Sequence, residues 1–244
     1  MGIWPFKKKV ESLNESGMLK NFTDWHSHSL PGVDDGIPDM ERSLEVLDAY
    51  EKAGVRKVWL TPHIMEDFPN ETRKLRERFE ELKLAYDGNI ELKLAAENML
   101  DSLFEERLEQ KDLLPIGEEG NHLLVETSYF SAPMNFDEII DDIKSAGYFP
   151  LLAHPERYRY MDEKDYKRLR QRGVAFQINF MSLVGTYGET ARKKAEWLLK
   201  NNMVDVTGSD LHHLPATQRY LAQSPSKREA LEAILNVAAN PTLK

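Results

Sequence analysis

The sequence contains no cysteine. It therefore has no disulfide bonds, no thiolate ligands for a metal ion and no thiol nucleophile. It also lacks an apolar run of about 18 residues, the length that a transmembrane helix needs. Its first residues, MGIWPFKKKVESLNESG, show neither the apolar region nor the small-residue cleavage site of a secretory signal. These absences predict a cytoplasmic protein without stable membrane insertion.

The chain has fewer basic than acidic residues, 32 against 41. The net charge of −9 disfavours binding to a nucleic-acid backbone, which requires a basic surface. Apolar residues make up 41% and charged residues 30% of the chain, a balance that fits a folded globular protein. The length of 244 residues favours one domain. The sequence does not indicate the oligomeric state.

Short apolar runs alternate with amphipathic segments along the chain. The runs are NFTDWH, RKVWLTPH, IELKLAAE, HLLVE, YFPLLAHP, GVAFQINF and MVDVTGSD. The segments between them include MERSLEVLDAYEKAG, NETRKLRERFEELKLAY, NFDEIIDDIKSAG, DEKDYKRLRQRG and GETARKKAEWLLKNN. Strands that alternate with helices form βαβ units and a parallel sheet. Seven such units favour a barrel over an open sheet, in a single domain at residues 21–244 after an N-terminal extension at residues 1–20.

Side chains that commonly bind metal ions stand at the end of six of the seven predicted strands. They are His26, His28, His63, Glu97, Glu126, His154, Asp210 and His212. The sixth strand ends at Asn179 instead. The carboxyl ends of parallel barrel strands meet at one face, where catalytic groups converge. Packing needs alone would not produce this pattern, because it is costly to bury charged side chains without partners.

The local spacing supports a shared metal site. Residues i and i+2 of a strand point to the same side, so His26 and His28 can bind one ion together. The loop sequence GVDDG adds a carboxylate from Asp34 or Asp35. Nine ligands exceed the three or four of a single site, so we predict two or three divalent ions per chain. Histidine and carboxylate ligands without sulfur suit Mn²⁺, Fe²⁺ or Zn²⁺.

Two further histidines are interpreted differently. His122 follows an asparagine and is treated as an ordinary packed histidine. His213 is adjacent to His212 and would point to the opposite face, so it is left out of the ligand set.

The motifs DWHSHSLPGVDDG, TPH, AAEN, LLVETSY, LLAHPERY and GSDLHHL together resemble the PHP superfamily, named for polymerase and histidinol phosphatase. The chain is most similar to the bacterial protein-tyrosine phosphatase branch linked to capsular and exopolysaccharide synthesis. The resemblance runs over residues 22–214. It implies a distorted seven-stranded (β/α) TIM-like barrel, the PHP fold, with divalent ions that are commonly manganese.

The resemblance also implies roles for particular residues. One ion would be bound by His26, His28, Glu97 and Asp210, a second by Glu97, Glu126 and His154, and a third by Asp35, His63 and His212. Arg157 of the HPERY motif would bind the phosphate, and Arg219 is the nearest candidate for a second substrate-binding arginine. Arg157, His63 and Asp210 are the candidate catalytic residues.

Hydrolysis of a phosphate monoester by metal-activated water is the resulting hypothesis. By resemblance, the substrate would be a phosphotyrosine protein, the tyrosine-rich tail of a membrane-bound bacterial tyrosine kinase that controls polysaccharide export. The alternatives are a small-molecule phosphatase of the histidinol-phosphate type, an amidohydrolase-like metal hydrolase, and a non-catalytic metal-stabilised binding module. An amidohydrolase would require a lysine between its metal ions, whereas the third predicted strand ends in Glu97.

Overall fold

The computed structural model describes residues 9–243. Residues 1–8 of the predicted N-terminal extension lie outside the described residues. In the part of the extension that is described, Leu13, Met18 and Leu19 are buried in the main hydrophobic core. The backbone N–H of Leu13 donates to the carbonyl of Gln223 at 3.0 Å. Residues of this segment therefore pack directly against the rest of the fold.

The strands between residues 9 and 243 form two sheets in which every neighbouring pair is parallel. They are β1 Thr23–Ser27, β2 Lys57–Leu60, β3 His63–Ile64, β4 Glu91–Leu94, β5 Glu97–Met99, β6 His122–Glu126, β7 Phe149–Ala153, β8 Ala175–Asn179 and β9 Val206–Gly208. One sheet has the order β1-β2-β4 and the other β3-β5-β6-β7-β8-β9. The fold is thus α/β with a curled parallel sheet, as its sequence pattern predicts.

The predicted set of seven continuous strands is not confirmed. The second and third predicted strands are each broken, into β2 and β3 and into β4 and β5. Pro62 lies at the first break, and proline has no N–H to donate to a ladder. Its carbonyl still accepts from the N–H of Glu97 at 3.1 Å. At the other edge, the N–H of Asp210 donates to the carbonyl of His26 at 2.8 Å, so the segment after β9 lies beside β1.

Eight α-helices cover the strands in the described chain. They are α1 Met40–Ala53, α2 Thr72–Ala85, α3 Ser102–Gln110, α4 Phe136–Ser145, α5 Glu163–Gln171, α6 Gly188–Lys200, α7 Leu214–Leu221 and α8 Arg228–Ala239. Five of them correspond to the predicted amphipathic segments, and α3, α7 and α8 were not predicted. None of the helices in residues 9–243 is both long and apolar enough to cross a membrane.

The helices start and stop at residues suited to these positions. The carboxylate of Asp39 accepts from the N–H of Arg42 and caps α1, which ends at Gly54 in the left-handed conformation with φ 97°. Asp101 caps the unpredicted α3 in the same way, accepting from the N–H of Phe104.

A second, smaller core lies on the strand faces that carry the candidate ligands. It consists of residues such as Trp59, Leu124 and Leu151, with Trp25 stacked on Trp59 at a ring separation of 6.0 Å. Leu124 precedes Glu126 by two residues, so alternation along β6 puts both side chains on the same face. The apolar layer and the ligand cluster therefore share one face of β6.

Candidate metal centre

The candidate ligands come from the carboxyl ends of the strands and from the loops that follow them. The pairing of β1 with β2 changes register between Asp24 and Ser27. The consecutive residues Trp25 and His26 then contribute to adjoining layers, the apolar core and the ligand cluster, respectively. His26 and His28 still face each other, as their spacing predicts, with their Nε2 atoms 3.0 Å apart.

Glu97 occupies the centre of the cluster. Its side chain is fully buried and is surrounded by four imidazole rings. The distances are 2.8 Å from Oε1 to His154 Nε2, and from Oε2 3.1 Å to His26 Nε2, 3.2 Å to His63 Nδ1 and 3.3 Å to His28 Nε2. One carboxylate therefore connects ligands from β1, β3 and the loop after β7.

All nine predicted ligands fall into sets whose ligand atoms lie within 4.8 Å of one another. The sets are His28, Asp35, His63 and His212; His26, His28 and Asp210; His26, Glu97 and His154; and His63, Glu97 and Glu126. The first two resemble the third and first ions of the assignment made from sequence. For the second ion the sets differ: Glu126 groups with His63 and Glu97, and His154 groups with His26 and Glu97, although His154 Nε2 lies only 3.8 Å from Glu126 Oε2.

The distances between ligand atoms suit a common ion. His26 Nε2 and His28 Nε2 lie 3.7 Å and 3.4 Å from Asp210 Oδ1. Ligands at about 2.1 Å from a metal are separated by about 3.0 Å in octahedral and about 3.4 Å in tetrahedral coordination. These atoms therefore surround a space of the right size for a divalent cation.

Buried polar atoms without partners provide a second test of whether this site fits metal ions. Within residues 9–243, Glu97 Oε2, Glu126 Oε1, Asp210 Oδ1 and His63 Nδ1 are buried without a hydrogen-bond partner. Buried carboxylate oxygens left without donors are costly to the fold. Divalent ions bound among them would remove this cost, so the donor set fits metal ions.

The two aspartates of the GVDDG loop have different surroundings. Asp34 Oδ2 accepts from His28 Nδ1 at 2.8 Å and from the N–H of His63 at 3.0 Å. Asp35 is exposed, and its Oδ1 lies 3.6 Å from His63 Nε2 and 3.5 Å from His212 Nε2. Asp34 thus orients the candidate ligand His28, and Asp35 is the aspartate that groups with the candidate ligands His28, His63 and His212.

The carboxylates change the proton affinity of the rings around them. Burial alone would lower the pKa of His26, but Glu97 and Asp210 outweigh it and raise that pKa to about 9. Burial is outweighed in the same way at His63, where Glu97 and Glu126 raise the pKa to about 10. Without metal ions, protons on these rings balance the buried negative charge. Metal binding must therefore displace protons.

We expect the stability of the metal-free protein to fall as the pH rises from about 6.5 to 10. The folded pKa values of His212, His26 and His63 are raised to about 8, about 9 and about 10, from 6.5. The stabilisation from protonation is complete below pH 6.5 and is lost as the pH passes the raised values. Thermal unfolding of metal-stripped and metal-loaded protein across this range tests the expectation. An equal decline in both forms would contradict it.

Arg157 lies beside the cluster in an aromatic clamp. Its guanidinium carbon lies 4.4 Å from the ring centre of Tyr129 and 4.2 Å from that of Tyr187. Its Nη1 donates to Asp210 Oδ2 at 2.6 Å. A cavity of about 400 Å³ opens over these residues and the cluster. A planar cation held in this way is suited to binding a phosphate group with two parallel hydrogen bonds.

Not every predicted residue reaches this site. Arg219 is exposed on α7 and does not line the cavity, although its neighbour Tyr220 does. His213, which was left out, is exposed and lines the cavity without joining a ligand set. His122 lies at the amino end of β6, away from Glu126, and its Nδ1 is 2.7 Å from Asn121 Oδ1.

Gln177 was missed by sequence reasoning. Its Oε1 accepts from His26 Nδ1 at 2.9 Å and from the N–H of His154 at 3.1 Å. The first bond leaves His26 Nε2 free to face the cluster. Nothing in the local sequence marks this role, because Gln177 and His26 are 151 residues apart.

Replacing Gln177 with leucine is expected to weaken metal affinity about 10- to 100-fold, the usual effect of losing a residue that orients a ligand. The substitution removes the acceptor for His26 Nδ1 and leaves the N–H of His154 unpaired. Competition titration with a chelating dye measures the change. The exposed Gln171→Leu is the control and should bind metal normally. Normal affinity in Gln177→Leu would show that Gln177 does not orient the ligands.

Fold and cluster together place the chain among parallel α/β proteins whose strand ends carry histidine and carboxylate ligands. Residues 22–234 match the family described as capsular polysaccharide synthesis, CpsB/CapC, and the chain belongs to this family. The match confirms the resemblance to the capsule-linked branch that the sequence motifs indicate.

Curated relatives are similar over most of their length. The tyrosine-protein phosphatase YwqE of Bacillus subtilis is 28% identical over 197 residues, covering 78% of this chain and 77% of YwqE. The tyrosine-protein phosphatase CpsB of Streptococcus pneumoniae is 29% identical over 220 residues, covering 82% of this chain and 87% of CpsB.

Solved structures agree with these relatives. A structure from work on YwqE of Bacillus subtilis and CpsB of Streptococcus pneumoniae, described as metal-dependent tyrosine phosphatases, has a TM-score of 0.75 and 26% identity. The alignment covers 88% of this chain and 86% of that chain. A lactonase from Listeria monocytogenes has a TM-score of 0.54 at 12% identity and shares the fold alone.

Proposed function

We propose that this protein is a metal-dependent protein-tyrosine phosphatase. The observation that carries the proposal is the cluster of nine metal-binding side chains, six of which line one cavity of about 400 Å³ together with Arg157. The activities named for YwqE and CpsB point to the same chemistry. Membership of the CpsB/CapC family places the activity in the context of capsule synthesis.

We infer two or three divalent ions per chain, with Mn²⁺ as the native metal and Fe²⁺ or Zn²⁺ as alternatives. Histidine nitrogen and carboxylate oxygen suit all three ions. Glu97 would help to hold the ions with both of its oxygens, because both face candidate histidine ligands. Bound divalent ions would supply a hydroxide nucleophile near neutral pH by lowering the pKa of a coordinated water.

The protein's own side chains position the phosphate. Arg157 would bind two of its oxygens and balance the charge that develops as the ester breaks. Asp210 would serve both as a ligand and as the anchor that holds Arg157 at 2.6 Å. The leaving tyrosine oxygen has a conjugate-acid pKa of about 10, so a strong general acid is unnecessary. His63, at the edge of the cavity, is the candidate for assisting its departure.

A protein substrate is favoured over the alternatives. By family resemblance we propose the tyrosine-rich tail of a membrane-bound bacterial tyrosine kinase, with the enzyme acting in the cytoplasm. No lysine lines the described cavity, which disfavours an amidohydrolase centre with a bridging lysine. The cavity also gives space for substrate beside the ligands, which a purely structural metal site does not require.

We also propose that residues 21–244 form one PHP-type barrel. The broken predicted strands would count as single barrel strands, with β2 continuing into β3 and β4 into β5. The contact between β1 and the segment after β9 supports closure, because the N–H of His28 donates to the carbonyl of Leu211 at 3.0 Å.

Hydrolysis assays on metal-stripped protein, before and after addition of Mn²⁺, test the proposed activity. A phosphotyrosine peptide, a phosphoserine peptide and histidinol phosphate serve as substrates. We expect metal-dependent hydrolysis that is fastest on phosphotyrosine. Metal-dependent hydrolysis of histidinol phosphate alone would favour the small-molecule alternative, and hydrolysis of none of them would contradict a phosphatase.

A further inference from the structure

Two strongly exposed apolar side chains lie on the loop between β6 and α4. Phe130 is 67% exposed and Met134 is fully exposed. The other exposed large apolar side chains in residues 9–243 are Leu84 and Phe149, on different elements. Phe149 begins β7, at the opposite end of that strand from the ligand cluster. Isolated exposed apolar residues are common, but these two share one loop, and that loop also lines the cavity through Tyr129.

The same loop forms a wall of the cavity. Tyr129 lines it, with its ring against Arg157 and 5.9 Å from the ring of His154. The carbonyl of Tyr129 accepts from the N–H of Arg159 at 2.8 Å, which fixes the loop to the segment that follows β7. Phe130 is the next residue and turns to solvent. The exposed apolar surface therefore begins one residue from the cavity wall.

The side chain of Arg159 lies next to this apolar surface. The guanidinium carbon of Arg159 lies 4.7 Å from the ring centre of Phe130, and the arginine is exposed. No carboxylate of residues 9–243 lies within 4.0 Å of its side-chain nitrogens. Arg157, two residues earlier, has Asp210 as a partner. Arg159 is thus free to pair with an acidic group from another molecule.

We propose that Phe130, Met134 and Arg159, here called the rim patch, bind the substrate residues that flank the phosphotyrosine. An apolar flanking residue would contact Phe130 and Met134, and an acidic one would pair with Arg159. The inference rests on the proposed phosphatase function. A phosphotyrosine in a polypeptide continues into backbone on both sides, so a chain whose ring occupies the cavity must leave across its rim. A free phosphate monoester reaches no further than the cavity.

Kinetics with a matched pair of substrates test the apolar half of the rim patch. The variant Phe130→Ser with Met134→Ser is assayed on free phosphotyrosine and on a phosphotyrosine peptide with flanking leucine and glutamate. We expect kcat/KM on the peptide to fall about tenfold, mainly through KM, with a change below about twofold on free phosphotyrosine. The control variant, Leu84→Ser with Phe149→Ser, should match wild type on both substrates.

Several outcomes would overturn the proposal. Equal losses on both substrates would show a structural role for the loop, and an unchanged rate on the peptide would show no contact. Dissociation of an oligomer in sedimentation, with unchanged peptide kinetics, would assign the apolar residues to self-association. If wild type hydrolyses neither substrate, the phosphatase proposal itself fails, and that result is distinct from all of these.

A double-mutant cycle tests the cation. Arg159→Gln keeps the backbone N–H that donates to the Tyr129 carbonyl, and it removes the guanidinium group together with its charge. We expect about a threefold loss on the peptide with flanking glutamate, and no loss when glutamine replaces that glutamate. The same loss on both peptides would show that Arg159 does not pair with an acidic residue beside the phosphotyrosine.

Discussion

Replacing Glu97 with glutamine is expected to lower kcat on a phosphotyrosine peptide by about a thousandfold or more. Glu97 faces four histidines, and the His26, His63 and His154 rings hold its pKa well below its usual range although burial opposes them. Glutamine has nearly the same shape but cannot bridge cations as an anion. Metal ions contribute several kcal/mol to such reactions, and about 1.4 kcal/mol corresponds to a factor of ten.

The control for Glu97→Gln is Glu91→Gln. Glu91 begins β4, remote from the carboxyl ends, and pairs with Lys57 and Lys93 at the surface. We expect this variant to keep full activity and metal content. Elemental analysis of both proteins and their unfolding curves accompany the kinetics. A Glu97→Gln protein that turns over at the wild-type rate with its full metal content would refute the assigned role.

Replacing Arg157 with alanine is expected to lower kcat/KM about a hundredfold while the metal content stays unchanged. Losing one positioned donor to a transition-state anion typically has an effect of this size. Asp210 would remain hydrogen-bonded, because Asn179 Nδ2 donates to it at 2.7 Å and the hydroxyl of Tyr187 at 3.2 Å. The metal ligand therefore stays in place when the arginine is removed.

The variant Arg157→Lys distinguishes the contribution of the positive charge from that of the planar guanidinium group. Lysine keeps the positive charge but cannot stack between Tyr129 and Tyr187 or donate two parallel bonds, so we expect an intermediate loss of about tenfold. Arg172→Ala, which removes surface pairs with Asp137 and Asp141, is the control and should behave as wild type. Loss of metal together with activity in Arg157→Ala would show that the arginine supports the ligands instead.

Eight of the nine candidate ligands could be located from sequence because the information is local. Each stands at the end of a short β-rich run, and the rule that parallel strands point their carboxyl ends to one face brings them together. The ninth, Asp35, was chosen over Asp34 by resemblance alone. Their grouping around Glu97 required the structure, since it depends on the register between strands. The interruption at Pro62 shows the limit for the fold, because an apolar run that continues through a proline does not reveal whether the ladder continues with it.

Gln177 and Tyr129 could not be predicted. Gln177 orients His26, which is 151 residues away, and Tyr129 packs against Arg157. Neither belongs to a residue type that signals metal binding. His213 was excluded by strand alternation, but it lies after β9, where alternation no longer applies, and it reaches the cavity. For Arg219 the sequence offered only proximity to the SDLHH motif, and helix α7 turns it to solvent.

Anomalous diffraction from crystals grown with Mn²⁺ would test the central claim most directly, namely that the cluster is a catalytic metal centre. We predict two or three manganese peaks enclosed by the nine ligands, with Glu97 contacting more than one of them. Crystals of Glu97→Gln should show fewer peaks at these positions. A fully active protein whose crystals show no manganese between these side chains would contradict the proposed centre.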